Sequence, residues 1–125
     1  MSIAFTEIAF TAYPVSDMKR SRAFYEGILG LKPGMVNESP SMAWVEYEIG
    51  ATVLSIGYTS EGNWKPSPLG ASAALEVTNF EEAIEHLRAN NVRFEMEPME
   101  TPVCHMAVIK DPDDSKILIH KRKNS

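Results

Sequence analysis

The chain has 125 residues, of which 44% are hydrophobic and 23% are charged, and its formal net charge at pH 7 is −5. This length suits a single domain spanning residues 1–125. The negative net charge argues against a nucleic-acid binder, because contacts with phosphates need a basic face. One cysteine excludes an internal disulfide and favours a reducing compartment. Because the sequence shows no signal-peptide pattern and no apolar run near the roughly 20 residues of a membrane span, we expect a cytoplasmic protein without membrane contact.

In chain order, the first half predicts one strand, one helix and then three strands. Residues 5–15 have the composition of a strand, and Asp17 can cap the helix that follows over 18–29. Gly30 is a typical helix end because glycine adopts left-handed backbone conformations without strain. Three further strands are predicted at 31–37, 42–49 and 52–58.

The second half repeats this order. A strand at 72–77 precedes Asn79, which is a second capping residue, and apolar residues at helical spacing predict a helix that ends at Asn90 and Asn91. Three strands then follow at 92–97, 103–110 and 116–120. The repetition indicates two copies of one structural unit.

Each half is therefore a β-α-β-β-β module, the first over 5–58 and the second over 71–121, and a loop rich in Gly, Ser and Pro joins them. Neither module is large enough to bury its own sheet face, so we expect one α+β domain with a cupped, mixed and antiparallel sheet around a cleft. A ferredoxin-like sandwich is the alternative, but it does not explain three strands after each helix.

Two stretches resemble a known family, namely "VSDMKRSRAFYEGILGLKPG" (15–34) and "AVIKDPDDSKILI" (107–119). Together with the repeat they resemble the vicinal oxygen chelate superfamily, which includes glyoxalase I, extradiol dioxygenases, fosfomycin-resistance enzymes and bleomycin-resistance proteins. Asp114 stands where the family's final hairpin commonly has Gly. This departure is tolerable because Asp can adopt a left-handed backbone conformation.

The resemblance also implies where a metal would be bound. Members with metal chemistry place ligands at four strand positions, which correspond here to Phe10, Ser55, Ser72 and Leu118. Phenyl and isobutyl groups cannot coordinate a metal, and hydroxyls are poor ligands for Zn, Fe, Ni or Mn. We therefore expect no metal and no cofactor, and we do not expect the typical glyoxalase or dioxygenase activity.

Few residues remain as acid or base candidates. Glu76 shares strand parity with Ser72 and can lie near the floor of the cup, and His105 can line the cup by itself. Without a bulge in the strand, Cys104 and His105 cannot form a dyad, because adjacent strand residues point to opposite faces. His120 is expected to be a solvated residue at the end of the last strand.

Aromatic and apolar residues suggest a different role for the cup. Clefts lined by aromatic side chains with few polar groups typically bind small molecules. The candidate ligand-binding residues are Phe10, Trp44, Ser55, Tyr58, Trp64, Ser72 and Leu118. They indicate a metal-free protein that binds an apolar or aromatic small molecule, unless they fill the cup as core. The alternative is a metal-independent enzyme, of isomerase, lyase or oxygenase type, that acts on a small carbonyl or ring compound.

A homodimer is expected both from the resemblance and from strand chemistry. Open cupped sheets leave strand edges unpaired, and pairing across a two-fold axis covers them. The first strand, with its apolar alternation near the N-terminus, is the expected contact.

Overall fold

The computed structural model describes residues 3, 4 and 6–123 of the chain. Residues 1, 2, 5, 124 and 125 lie outside the described part, and they include Phe5, where the predicted first strand begins. Two four-stranded sheets form the fold. Sheet A has the strand order β1-β4-β3-β2 and sheet B the order β5-β8-β7-β6. In each sheet only the first pair, β1 with β4 and β5 with β8, is parallel.

Each sheet belongs to one module, and in chain order one helical segment connects the first strand of the module to the second. The first module contains β1 (Thr11–Pro14), α1 (Met18–Arg22) with its π-helical continuation (Ala23–Ile28), β2 (Pro33–Glu38), β3 (Met42–Ile49) and β4 (Thr52–Thr59). The second contains β5 (Ala73–Glu76), α2 (Phe80–Ala89), β6 (Phe94–Glu100), β7 (Cys104–Lys110) and β8 (Lys116–Arg122). This arrangement confirms the α+β fold with two β-α-β-β-β modules, and it excludes the ferredoxin-like alternative.

Local signals in the sequence account for the helix ends. Asp17 caps α1 by accepting a hydrogen bond from the backbone N–H of Arg20 at 3.0 Å, and Asn79 caps α2 in the same way. Gly30 (φ 76°) follows the first helical segment in the left-handed region. Asp114 (φ 67°) is also left-handed, as the hairpin sequence predicts.

The first strand and the first helix differ from expectation. β1 contains only Thr11–Pro14 of the predicted 5–15, and the first helix changes from α to π geometry after Arg22. Helix propensity does not distinguish an α-helical from a π-helical segment, so the sequence does not predict the change. Phe24 and Tyr25 in this segment are both buried in the core.

A buried hydrogen-bond network joins the two modules. The Tyr25 hydroxyl, on the first helical segment, donates to Asp111 Oδ2 at 2.8 Å, in the turn between β7 and β8. Asp111 is fully buried, and its Oδ1 also accepts the backbone N–H groups of Asp113 and Ser115 at 2.9 Å each. Burial raises the pKa of the Asp111 carboxyl, against the opposing effect of these hydrogen bonds.

Tyr13 makes a second connection between the modules. Its hydroxyl donates to the backbone carbonyl of Lys116 at 2.8 Å and accepts the backbone N–H of Ala73 at 2.6 Å. The apolar core likewise includes buried residues of both modules. Within the described ranges, no helix is long and apolar enough to cross a membrane.

Candidate functional site

Strand register divides the residues of sheet A between two faces. Tyr13, Val45 and Ile56 are paired across the strands and lie in the core with the first helical segment. Residues of the opposite parity form the other face, which we call the open face of sheet A. Its rows are Ala12–Ser55–Glu46 and Pro14–Gly57–Trp44, and Phe10 precedes Ala12 by two positions.

Three aromatic side chains form a cluster on the open face of sheet A. The rings of Phe10 and Trp44 meet edge to face, with centroids 5.3 Å apart and an interplanar angle of 82°. Trp64, in the loop after β4, stacks on Trp44 at 6.3 Å and 26°. Phe10 is 47% exposed and Trp64 is 38% exposed, so the cluster is accessible from solvent. The indole N–H of Trp44 donates to Glu46 Oε2 at 2.9 Å, which fixes that ring.

Gly57 allows the two indole rings to lie against the sheet. A Cβ at this position would come within 2.7 Å of the Trp64 ring and 2.9 Å of the Trp44 ring. Any side chain would therefore displace an aromatic ring. The cluster is preformed because the residue beneath it has no side chain.

The positions that correspond to metal ligands in the resembled family do not fit a metal. Ser55 lies in the centre of the open face of sheet A, is fully buried, and its Oγ has no hydrogen-bond partner among the described residues. Phe10 and Leu118 contribute only carbon, and Ser72 is an exposed hydroxyl. Within residues 3, 4 and 6–123, no group of three or more His, Cys, Asp or Glu side chains could hold a metal ion. The side chains present suit apolar contact, and they lack the imidazole and carboxylate donors that transition metals prefer.

Sheet B has an open face of a different chemical character. Glu76 on β5 and His120 on β8 are paired in the parallel register, so both side chains lie on the same face. His120 Nδ1 contacts Glu76 Oε1 at 2.6 Å, and Glu76 Oε2 accepts the backbone N–H of Arg122 at 2.7 Å. The hydrogen bond from His120, followed by that from Arg122, lowers the pKa of the Glu76 carboxyl.

A cleft of about 390 Å³ lies between the modules, at the unpaired edge of β5. Ile8 and Val53 line it from the first module, and Ala74 and Glu76 line it from the second. Residues of both open faces therefore meet at this cleft.

Two predicted site residues lie on the faces that pack against the helices. Tyr58 pairs with Ala43 on the helix side of sheet A and lines a separate groove of about 770 Å³ beside α1. His105 stacks on Phe80, the first residue of α2, with ring centroids 5.5 Å apart. The structure thus groups Phe10, Trp44 and Trp64 around Ser55 and Gly57, but it does not bring Tyr58 or His105 to them.

Sequence reasoning missed the pairing of Glu76 with His120. Strand parity places Glu76 on the same face as Ser72, and His120 on the same face as Leu118. The two side chains lie opposite each other because the parallel register pairs Ala74 with Leu118 and Glu76 with His120. The sequence pattern identifies both strands but does not show their relative register.

Two β-α-β-β-β modules with one open face each define the class of cupped, two-module α+β proteins. The sequence pattern of the Glyoxalase/Bleomycin resistance protein/Dioxygenase superfamily matches residues 7–119. Lactoylglutathione lyases from Salmonella typhimurium and Escherichia coli O157:H7 are each 34% identical over 92% of this chain and 92% of their own length. The chain belongs to this superfamily.

Solved structures share the fold with this chain. TnmS3, an antibiotic binding protein from Streptomyces sp. CB03234, superimposes with a TM-score of 0.79 over 98% of this chain and 100% of its own, at 18% identity. The trypanothione-dependent glyoxalase I of Leishmania major superimposes with a TM-score of 0.75 over 94% of this chain and 87% of its own, at 24% identity. At these identities the likeness concerns the fold alone.

Proposed function

We propose that the protein binds an apolar or aromatic small molecule without a metal ion. The observation that supports this proposal most strongly is the solvent-accessible aromatic cluster of Phe10, Trp44 and Trp64 on the open face of sheet A. Two of these rings are 47% and 38% exposed although each contacts another ring. A planar ligand would gain stacking and edge contacts there without requiring the rings to rearrange.

Ring placement favours an uncharged or weakly polar ligand. Glu46 is the nearest carboxylate to the cluster in the strand register, and it already accepts the indole N–H of Trp44. The exposed groups that remain for contact are the aromatic rings, because Ser55 is fully buried, so the orientation of the ligand would depend mainly on shape.

Metal-free binding is supported by the chemistry at four positions. Phe10, Ser55, Ser72 and Leu118 stand where the resemblance implies metal ligands, and none of them is an imidazole or a carboxylate. Lactoylglutathione lyases are relatives at 34% identity, but we expect no lyase activity on the glutathione–methylglyoxal adduct from this chain. TnmS3, which shares this fold, is an antibiotic binding protein.

A fluorescence titration with 1-naphthol as the probe tests the proposal. Binding should change the emission of Trp44 or Trp64, which are the only tryptophans of the chain. Phe10→Ala should weaken binding about two- to tenfold, because one lost aromatic contact is worth roughly 0.5–1.5 kcal/mol. Leu118→Ala should also weaken it if the ligand extends to sheet B.

Two controls separate lost binding from lost stability. Leu69→Ala removes a 90% exposed apolar side chain from the linker loop, and His105→Ala removes a ring from the helix side of sheet B. We expect the Leu69 variant to retain wild-type affinity. We expect the same of the His105 variant, provided that its melting temperature equals that of the wild type. If a panel of aromatic probes leaves both the tryptophan emission and the melting temperature of the wild type unchanged, the cluster is core and the proposal fails.

A second candidate function is a metal-independent enzyme acting on a small carbonyl or ring compound. The contact between Glu76 and His120 favours it, because a carboxylate that orients an imidazole is a common arrangement for proton transfer. His105, the other residue suggested by the sequence, packs on Phe80 away from this pair.

We also propose that the protein is a homodimer. All six residues of the edge strand β2 are exposed, and the segment before β1 exposes Ile3 (77%) and Ile8 (79%). Unpaired edges and exposed apolar side chains are features that association covers. Light scattering should give twice the 13.9 kDa chain mass at micromolar concentration, and a monomer mass would refute the dimer.

A further inference from the structure

The contact between Glu76 and His120 fixes which imidazole nitrogen is free. Glu76 has both oxygens engaged, one by His120 Nδ1 at 2.6 Å and the other by the backbone N–H of Arg122 at 2.7 Å. A carboxylate can only accept, so the neutral imidazole carries its proton on Nδ1 and its lone pair on Nε2. Among the hydrogen bonds of the described residues, none involves Nε2 of His120.

Apolar residues neighbour His120 in the strand register on the open face of sheet B. His120 pairs with Met106 on β7, and Leu118 precedes it by two residues on the same face. Ala74, paired with Leu118, lines the 390 Å³ cleft together with Glu76. The imidazole side chain is 25% exposed, so it is partly desolvated but reachable.

Three other charged or titratable residues lie close to the pair along β7 and β8. Lys121 and His105 are paired with each other in the register and lie on the opposite face of sheet B. Arg122 donates its backbone N–H to Glu76, and its positive charge also helps to lower the pKa of the Glu76 carboxyl. Glu76 is therefore the charged side chain that the described contacts place against His120.

We propose that His120, positioned by Glu76, is a general base that removes a proton from an uncharged ring or carbonyl compound with an acidic C–H bond. In this step Nε2 forms the new N–H bond, the electron pair of the broken C–H bond forms a new π bond within the substrate, and the pair of the neighbouring N–O or C=O bond moves to oxygen. The imidazolium that forms is stabilised by the adjacent carboxylate, and no metal, oxidant or reductant is consumed. A general base of this kind typically contributes ~10²–10⁴ in rate.

The Kemp elimination of 5-nitrobenzisoxazole tests this activity directly. Transfer of the ring C–H proton to His120 breaks the N–O bond, forms a nitrile and leaves a coloured cyanonitrophenolate, so the reaction needs no second reactant. We expect the wild type to exceed the buffer rate by at least ~10²-fold and His120→Gln to lose this acceleration.

Glu76→Gln separates positioning from folding. It should lower kcat by about tenfold and change KM little, because Gln can hold the ring but cannot stabilise the imidazolium. His105→Gln, on the opposite face, is the matched control and should keep the wild-type rate. If the melting temperature of His120→Gln is well below that of the wild type, the kcat and KM of Glu76→Gln decide whether the pair takes part in proton transfer.

Binding and reaction of 5-nitrobenzisoxazole are measured by separate signals, so a failure of this proposal can be told apart from a failure of the proposed ligand binding. Tryptophan emission reports whether 5-nitrobenzisoxazole binds, and product colour reports whether it reacts. A wild-type rate no higher than that of His120→Gln overturns the proposal, whether or not the probe binds. Equal losses in His105→Gln and His120→Gln would also overturn it, since the effect would then not belong to the Glu76–His120 pair.

Discussion

The two modules have the same strand order but carry opposite chemistry at equivalent places. In sheet A the row Pro14–Gly57 lies beside Trp44, and Trp64 covers the glycine. In sheet B the equivalent row is Glu76–His120, which forms a hydrogen-bonded pair. The strand pairing is the same in the two halves, but the row in sheet A supports aromatic rings and the row in sheet B carries a carboxylate and an imidazole. Topology therefore sets where a site can be, and a few side chains on one face set what it can do.

The largest expected effect concerns the contact that holds the two modules together. Asp111→Ala leaves the Tyr25 hydroxyl and two backbone N–H groups of the turn without their acceptor, and it should lower the free energy of unfolding by roughly 3 kcal/mol. Urea denaturation followed by circular dichroism measures it. If the modules form one domain, as we propose, both should unfold in a single transition.

Tyr25→Phe is the matched control for this change, because it removes one hydroxyl and leaves Asp111 bonded to its own turn. We expect a loss of about 1–2 kcal/mol, smaller than that of Asp111→Ala. Two separate transitions in the wild type, or an Asp111→Ala loss below that of Tyr25→Phe, would contradict a shared core.

An intermediate effect is expected at Gly57, where the two sheets differ most. Gly57→Ala places a Cβ within 2.7 Å of the Trp64 ring, so the ring must move and the cluster opens. The affinity for 1-naphthol should fall about five- to tenfold, corresponding to roughly 1 kcal/mol of lost aromatic contact. Titration by tryptophan emission measures this.

Gly27→Ala is the control, since a Cβ at Gly27 would meet nothing within 4 Å other than its own helix backbone and chain neighbours. It should leave the affinity for 1-naphthol unchanged. Equal affinity in the Gly57→Ala and wild-type proteins would show that ligand binding does not involve the cluster.

A smaller effect is expected from the pH dependence of the pair in sheet B. The hydrogen bond from His120 lowers the pKa of Glu76 in the folded protein, so its contribution to stability is present above the ordinary carboxyl pKa and is lost as pH falls through the folded value. Glu76→Gln should reduce stability at neutral pH by less than about 1 kcal/mol, because the pair is partly exposed. The difference from wild type should vanish in acid.

Thermal unfolding between neutral and acidic pH measures this prediction. Glu61→Gln, in the exposed linker loop, is the matched control and should track the wild type across the range. A Glu76→Gln deficit that grows as the pH falls would have the wrong sign and would contradict the pairing.

The fold could be predicted from the sequence because both modules carry strong local signals for where helices and turns begin and end. The caps Asp17 and Asn79, the left-handed Gly30 and Asp114, and the repeat itself are all local, and the structure confirms them. The π-helical segment from Ala23 was not predicted, since helical periodicity in the sequence does not distinguish α from π geometry.

The site was only partly predictable for a related reason. The family resemblance indicated Phe10, and aromatic character indicated Trp44, but the position of Trp64 depends on how a loop folds over Gly57. Likewise, the contact of Glu76 with His120 depends on the register of a parallel pair that is distant in sequence. Periodicity specifies the face on which a side chain lies, whereas contacts between strands require the register.

Calorimetric titration of 1-naphthol into metal-stripped protein tests the central claim most directly. The same titration is repeated after adding Zn²⁺ or Ni²⁺, and elemental analysis reports any metal retained after mild chelation. Because Phe10, Ser55, Ser72 and Leu118 offer no suitable donors, we predict the same affinity with and without metal and no stoichiometric metal in the purified protein. A stoichiometric metal that survives chelation, or binding that appears only when metal is added, would contradict the claim.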